Sequence, residues 1–155
     1  MGLVRDLADL PQGCGLGDTY GYPPDTTEAE AWSIWMQPGA DRRSIDVAEQ
    51  YGVVVGTALL TPNAAGLGDH ICNAGWMVLS EASGHGIGRR FAEFVIEQAR
   101  DLGYLGMQLN AVVASNTRTV QLWLSMGFEI VGTVSDAFRH SADGLTPVHI
   151  MFRTL

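Results

Sequence analysis

The stretch from residue 71 to residue 114 constrains the fold more than any other. Residues 71–79 read ICNAGWMVL, an apolar run broken only by Asn73 and Gly75. Glycines then recur at 84, 86 and 88, inside EASGHGIGRR. After them Ile87, Phe91, Phe94, Val95, Ala99 and Leu102 recur at helical spacing and define one apolar face. Arg100 complements the helix dipole and Gly103 ends the helix. Residues 104–114 return to a strand pattern, with Leu105, Met107, Leu109, Val112 and Val113 around the polar Asn110. A strand, a crossover helix and a second strand form a βαβ unit, so the two strands are predicted to be parallel neighbours.

The flanking segments differ. Ile45, Val47 and Ala48, then Val53, Val54, Val55, Ala58, Leu59 and Leu60 predict an antiparallel hairpin over 44–61 turning at Tyr51-Gly52. Residues 62–69 read as a loop, and Gly75 predicts a bulge or a close ligand approach in the strand that follows. Ser115-Asn116-Thr117 caps a short helix on which Val120, Trp123 and Leu124 share a face, closed by Gly127. Strands are predicted over 128–134 and 146–154, with a polar loop over 136–144. Near the N-terminus, Thr26 or Thr27 precedes a helix carrying Trp32 and Trp35 that ends before Pro38. Tyr20 and Tyr22 lie in an irregular proline-stiffened loop, where they either line a pocket or cover core. One parallel splice inside an otherwise antiparallel arrangement gives an α+β class, a mixed sheet in a single domain over 1–155.

With 46% hydrophobic residues, 155 residues suffice for one core. The net charge of −8 disfavours nucleic acid. No apolar run approaches the roughly 18 residues of a membrane span, and the expectation is a soluble cytoplasmic protein. Cys14 and Cys72 have no metal-ligand spacing, so no metal site and no disulfide is expected.

The glycines at 84, 86 and 88 let backbone amides approach an anion at a helix N-terminus. Glycines of this kind can also serve only to turn a chain, and the flanks decide for the anion. No Lys-Ser/Thr follows, so this is not a P-loop. Arg89 and Phe91 stand where the third glycine of a dinucleotide fingerprint belongs. The run from Asn73 to Phe91 resembles the acetyl-CoA loop of the GCN5-related N-acetyltransferases, the GNAT family. A second signature follows in order: Asn116 opening a short helix, Trp123 seven residues on, then Gly127-Phe128.

That resemblance, covering roughly residues 44–155, implies a bent mixed sheet whose parallel central strands splay, with acetyl-CoA inserted between them. It places the main chain of Met77, Val78 and Leu79 along the pantetheine arm. Ser83, Gly84, His85, Gly86, Ile87, Gly88 and Arg89 fall around the pyrophosphate, and Asn116 and Trp123 near the cofactor. Position 83 is usually Arg or Gln in the family. Many members carry Tyr where Trp123 stands, and the family's first strand and longer helix exceed what residues 1–24 offer. A narrower likeness to a subgroup with the fungal proline-analogue acetyltransferases puts Asn73 and Asn110 against the substrate, with Tyr20 and Tyr22 nearby. The same asparagines are equally readable as strand polar groups satisfied by neighbours.

Acetyl transfer needs a neutral amine, a donor for the developing oxyanion and a proton for the leaving thiolate. The Val78 N–H suits the oxyanion. Trp123 cannot release a proton, which leaves water or Ser125. Asp69, His70 and His140 compete as bases with none preferred. A weakly basic amine needs little base assistance, so the expected acceptor is a small-molecule amine. A protein amine acceptor and a catalytically degenerate acetyl-CoA-binding module are the alternatives, and a homodimer is left open.

Overall fold

The computed structural model describes residues 29, 30, 33, 42–79 and 86–155. Among the described residues six strands form one mixed sheet in the order β1-β2-β3-β4-β6-β5. They are β1 (Ser44–Gln50), β2 (Val53–Pro62), β3 (Ile71–Val78), β4 (Gly106–Val113), β5 (Glu129–His140) and β6 (Gly144–Thr154). Two helices lie between strands, α1 (Ile87–Asp101) and α2 (Thr117–Ser125). Ala29, Glu30 and Ser33 of the expected N-terminal helix are helical. Trp32, Trp35 and the loop of Tyr20 and Tyr22 lie outside the described residues, as do Ser83, Gly84 and His85.

The β1-β2 hairpin turns where expected. Tyr51 and Gly52 both have positive φ, 53° and 80°, the pair that a tight two-residue hairpin turn requires. β2 and β3 pair antiparallel in unbroken register from Gly56↔Val78 to Pro62↔Cys72. The bulge expected at Gly75 is therefore absent from β3. Gly75 sits opposite Leu59, and a Cβ there would meet nothing within 4 Å. The central irregularity falls instead on β4, where the pairing with β6 shifts between Leu109 and Val112.

The loop expected over 136–144 is mostly strand. β5 continues to His140, and Phe138 and His140 pair with Thr146 and Gly144. A register shift between Val134 and Phe138, with Asp136 at φ 52°, interrupts the two-residue period that would have revealed it.

The core lies between the sheet and the two helices. α1 buries Phe91, Ala92, Val95, Ile96 and Ala99. Its buried stripe is thus rotated from the expected face, and Phe94 is 51% exposed while Ala92 and Ile96 point inward. Phe128, Met107, Met151, Leu60 and Cys72 are also enclosed. On α2, Val120 and Trp123 are buried and Leu124 is not.

β3 and β4 are in close contact where they pair. A Cβ on Gly106 would stand 2.7 Å from Phe152 Cζ and 2.9 Å from Ile71 Cδ1, so a side chain here would force Phe152 and Ile71 to shift. The Cys72 thiol donates to the Gly106 carbonyl at 3.4 Å. Burial pushes this thiol up to about 12, and the Tyr104 hydroxyl is likewise pushed up to about 12, chiefly by burial. Both groups are stabilised neutral in the folded state and ionise sooner when unfolded. Their contribution is complete below the ordinary thiol value near 9 and is lost as pH climbs towards 12. Thermal stability is therefore expected to fall progressively above about pH 9, and native Cys72 to resist alkylation at pH 8 until denaturant exposes it. Rapid native labelling of Cys72, read by peptide mapping, would contradict this burial.

Candidate active site

The parallel pairing of β3 with β4 is short. It covers Ile71↔Gly106, Cys72↔Met107 and Asn73↔Gln108, and then stops. β3 stays bound to β2 as far as Val78, while β4 stays bound to β6 as far as Val113. Beyond Asn73 the two central strands therefore part, and no described strand fills the opening between them.

The direction of each β3 backbone group follows from strand alternation. The Leu79 N–H donates to Val55 O at 2.8 Å and the Ile71 carbonyl accepts from Asn63 N at 2.8 Å, so odd-numbered positions face β2. The His70 carbonyl accepts from Leu105 N at 2.9 Å, so even-numbered positions face β4. With the register unbroken, the N–H and C=O of Trp76 and Val78 point into the opening. Of Met77, Val78 and Leu79, it is Val78 whose amide faces the gap, and the Leu79 amide is already bonded.

The next helix after β3 is α1. Its N-cap, Gly86, adopts φ 73° and supplies no side-chain cap, and the first turn carries no acidic residue. The first intrahelical bond runs from Arg90 N to Gly86 O at 3.1 Å. The amides of Ile87, Gly88 and Arg89 precede it and, among the described residues, are left as donors at the positive end of the helix. A Cβ at Gly86 or Gly88 would meet nothing within 4 Å. Among the described residues the N-terminus therefore combines donors without a partner, a first turn free of acidic residues and room around both glycines.

On the face of the sheet away from α1, β4 presents a chain of amides. Gln108 Nε2 donates to Asn110 Oδ1 at 2.8 Å, and Asn110 Nδ2 donates to Asn63 Oδ1 at 2.7 Å. Asn73 pairs with Thr61 on one side and Gln108 on the other, placing all three in one row. Asn63 also lines an open groove of about 470 Å³, together with Thr61, Pro62, Arg42 and Asp69. Arg42 and Asp69 form an ion pair at 2.9 Å. Gln108 was not singled out in the sequence, and Asn63, which with Pro62 belongs to the set that resembles the proline-analogue acetyltransferase subgroup, was given no role there. Gln108 was visible two residues before Asn110 on the same strand face, whereas nothing local links Asn63 to a residue 47 positions away.

Other sequence candidates take structural positions. Asn116 Oδ1 accepts from Thr119 N at 3.1 Å and caps α2. Trp123 is 6% exposed, with its ring centroid 4.7 Å from that of Trp76 and 5.5 Å from that of Phe128. The Ser125 hydroxyl donates to Leu122 O at 2.7 Å and accepts from Arg89. Ser125 thus ties α2 to α1, and its proton is committed away from the opening. Asp69 and His70 lie at the closed end of the β3-β4 pair. His140 Nδ1 accepts from Ala142 N and Asp143 N in the β5-β6 turn. No group of three or more His, Cys, Asp or Glu capable of holding a metal occurs among the described residues.

The profile of the Acetyltransferase (GNAT) family matches residues 7–128. The chain belongs to the GNAT acetyltransferase family. A GCN5-related N-acetyltransferase from Kribbella flavida is 38% identical, with a TM-score of 0.87 over 97% of this chain and 90% of that one. A ribosomal-protein-alanine N-acetyltransferase from Brucella melitensis is 30% identical, with a TM-score of 0.67 over 74% of this chain and 70% of that one. The N-acetyltransferase aca1 of Schizosaccharomyces pombe is 33% identical over 86 residues, which is 56% of this chain. That match spans 41% of the length of the curated relative.

GNAT membership makes the class an acetyl-CoA-dependent acyltransferase. The residues present fit that donor. A gap between parallel strands with inward-facing main-chain groups suits an extended pantetheine arm, which is recognised as an added strand would be. The uncapped α1 N-terminus suits a pyrophosphate. Among the described residues no helix is long and apolar enough to cross a membrane.

Proposed function

We propose that this chain moves the acetyl group of acetyl-CoA to the amine of a small molecule by direct attack within a ternary complex. The observation that carries the reading is the opening beyond Asn73↔Gln108 with the Val78 amide turned into it, together with the uncapped N-terminus of α1, the helix that follows β3. When bound, acetyl-CoA supplies an acetyl group activated as a thioester. The amides of Ile87, Gly88 and Arg89 would hold its pyrophosphate, and the gap-facing groups of Trp76 and Val78 would align its arm. The Val78 N–H would be the donor available to the acetyl oxygen as negative charge grows there, without a titratable side chain.

The amide chain supports a small polar acceptor. Asn63, Asn110 and Gln108 offer short neutral donors and acceptors in fixed order, suited to orienting an amine together with a neighbouring polar group. An amine of low pKa, such as an aromatic amine, would arrive neutral. A lysine side chain, near roughly 10.4, would need a base. The acceptor named for the Brucella melitensis relative favours a second reading, acetylation of a protein amine.

Thiol release with acetyl-CoA, measured across imino acids, small amines and peptides, separates the readings. Turnover of small amines is expected. Turnover of peptides alone would replace the first reading by the second, and tight acetyl-CoA binding with silence throughout would leave a binding module. Asn110→Ala is expected to raise the acceptor KM about ten-fold, roughly one hydrogen bond, with acetyl-CoA affinity unchanged. An unaltered acceptor KM would remove Asn110 from substrate recognition.

A further inference from the structure

Gly75 is the residue of β3 that neither the backbone nor the packing of the described residues explains. Glycine inside a strand costs conformational entropy and contributes no side chain, so its use there calls for a reason. A left-handed backbone is not the reason, since φ is not positive at Gly75. Neither is a bulge, because the pairing with β2 runs through Leu59↔Gly75 without a shift. Crowding is excluded as well. No described atom lies within 4 Å of a Cβ built at Gly75, whereas on β2 a Cβ at Gly56 would meet Met77 O at 3.1 Å. The remaining use of a strand glycine is the close approach of a ligand to the main chain.

The neighbours of Gly75 show the side from which a ligand comes. Along β3 the even positions Cys72 and Ala74 are buried in the core, while Asn73, Gly75 and Met77 keep part of their surface exposed. Strand alternation turns the missing side chain of Gly75 to the face of Asn73 and Met77, away from α1. On β2, Leu59 stands opposite Gly75 and Thr61 opposite Asn73, and both are partly exposed. The result is a hollow in the sheet, bordered by Leu59, Met77 and Asn73. Asn73 is the last β3 position paired with β4, and its partner is Gln108. Gly75 and Asn110, each two residues further on, are therefore the first residues of this face on either side of the opening. Asn110 belongs to the amide chain that joins Gln108 to Asn63.

We propose that the bare main chain at Gly75 is the seat of the acceptor's ring, and that the acceptor is an aromatic amine with a polar group beside the amine. This rests on the small-molecule reading and names its substrate class. The Gly75 N–H and C=O face β2, so the strand offers the hollow a flat surface with no free hydrogen-bonding group. Leu59 and Met77 make its borders apolar. Such a surface is suited to carbon, and a planar ring can lie against it where a Cβ would hold it off. A ring also enters with its shape already fixed and loses less freedom than an open chain. The polar group falls to the amide chain at Asn110, which offers both donors and acceptors. The amine points into the opening, and on an aromatic ring it arrives neutral and asks no base of the strand.

The test is thiol release with acetyl-CoA and two probes, anthranilamide, which carries its amine and carboxamide on a ring, and glycinamide, which has no ring. The parent is expected to show at least about ten-fold higher kcat/KM for anthranilamide. Gly75→Ala is expected to raise the anthranilamide KM about ten-fold and Gly75→Val about a hundred-fold, equivalent to one and two factors of ten in affinity. The glycinamide KM and the acetyl-CoA affinity, read by calorimetry, should stay within about three-fold of the parent. The melting temperature should equal or exceed the parent's, because a side chain replaces glycine in a strand without a clash. A purely structural role would move stability and both probes together. An anthranilamide KM within three-fold of the parent in Gly75→Ala would overturn the inference alone, as would an equal rise for glycinamide or a parallel loss of acetyl-CoA affinity. Failure of the parent to turn over anthranilamide would also overturn it. If the parent then used glycinamide, the small-molecule reading would stand, and if it used peptides alone, that reading would fall with the inference. Gly75→Ala, the smaller change, decides the matter even where Gly75→Val does not fold.

Discussion

Gly88→Asp is expected to weaken acetyl-CoA binding by more than about a hundred-fold while leaving the apoprotein as stable as the parent or slightly more so. The two effects have opposite signs because they act on the same donors. Position 88 is the second residue of α1, and the helix starts without a side-chain cap or a first-turn acid. A carboxylate there interacts favourably with the dipole by about 0.3–1 kcal/mol. Aspartate also costs less than glycine inside a helix. No described atom lies within 4 Å of a Cβ at this position, so the side chain enters without a clash. With the coenzyme present, the same carboxylate occupies the space and faces the charge of the pyrophosphate. At about 5 Å and an effective dielectric constant of about 20, each pair of unit charges repels by about 3 kcal/mol, about a hundred-fold in affinity. Gly88→Ala adds bulk without charge and separates the two causes. Calorimetry of acetyl-CoA binding, with melting of the apoprotein alongside, decides the matter. Affinity within three-fold of the parent for Gly88→Asp would move the pyrophosphate away from this helix.

The reason this helix end was legible in sequence while other parts were not lies in the range of the interactions involved. The glycines at 86 and 88, the periodicity of α1 and the Asn116 cap are local patterns, and the residues that reveal them are the residues that form them. The parallel pairing of β3 with β4 followed from the length of the crossover. Where the pairing ends did not, because the divergence after Asn73 is set by β2 holding one strand and β6 the other. The amide chain has the same character, since register and a loop bring Asn63 to Asn110. Phe94 illustrates a different failure. Hydrophobicity alone favoured its large ring for the core, but Ala92 and Ile96 flank the Phe91-Val95-Ala99 line and lie inward. In β5, the shifts at Ile130/Gly132 and Val134/Phe138 erase the alternation by which strands are read.

The placement of Val78 leads to an expectation that a less exact register would not support. Val78→Pro is expected to lower kcat by about 10²–10³-fold, the range for loss of one oxyanion donor, while preserving the fold. Proline ordinarily disrupts a central strand because it removes a ladder bond. At position 78 the N–H faces the opening, so the bonds between β2 and β3 are retained. Met77, the preceding residue, already lies in the strand conformation that a following proline prefers. Leu79→Pro is the informative comparison. It deletes the 2.8 Å bond from Leu79 N to Val55 O and is expected to lower the melting temperature more than Val78→Pro does. The pair separates loss of a catalytic donor from general damage to the strand. Single-turnover acetyl transfer, with acetyl-CoA affinity and melting measured on both variants, reads the difference. If Val78→Pro bound acetyl-CoA and turned over within three-fold of the parent, the oxyanion would have to be stabilised elsewhere. If it lost stability as Leu79→Pro does, the alternation that turns its amide into the opening would be wrong.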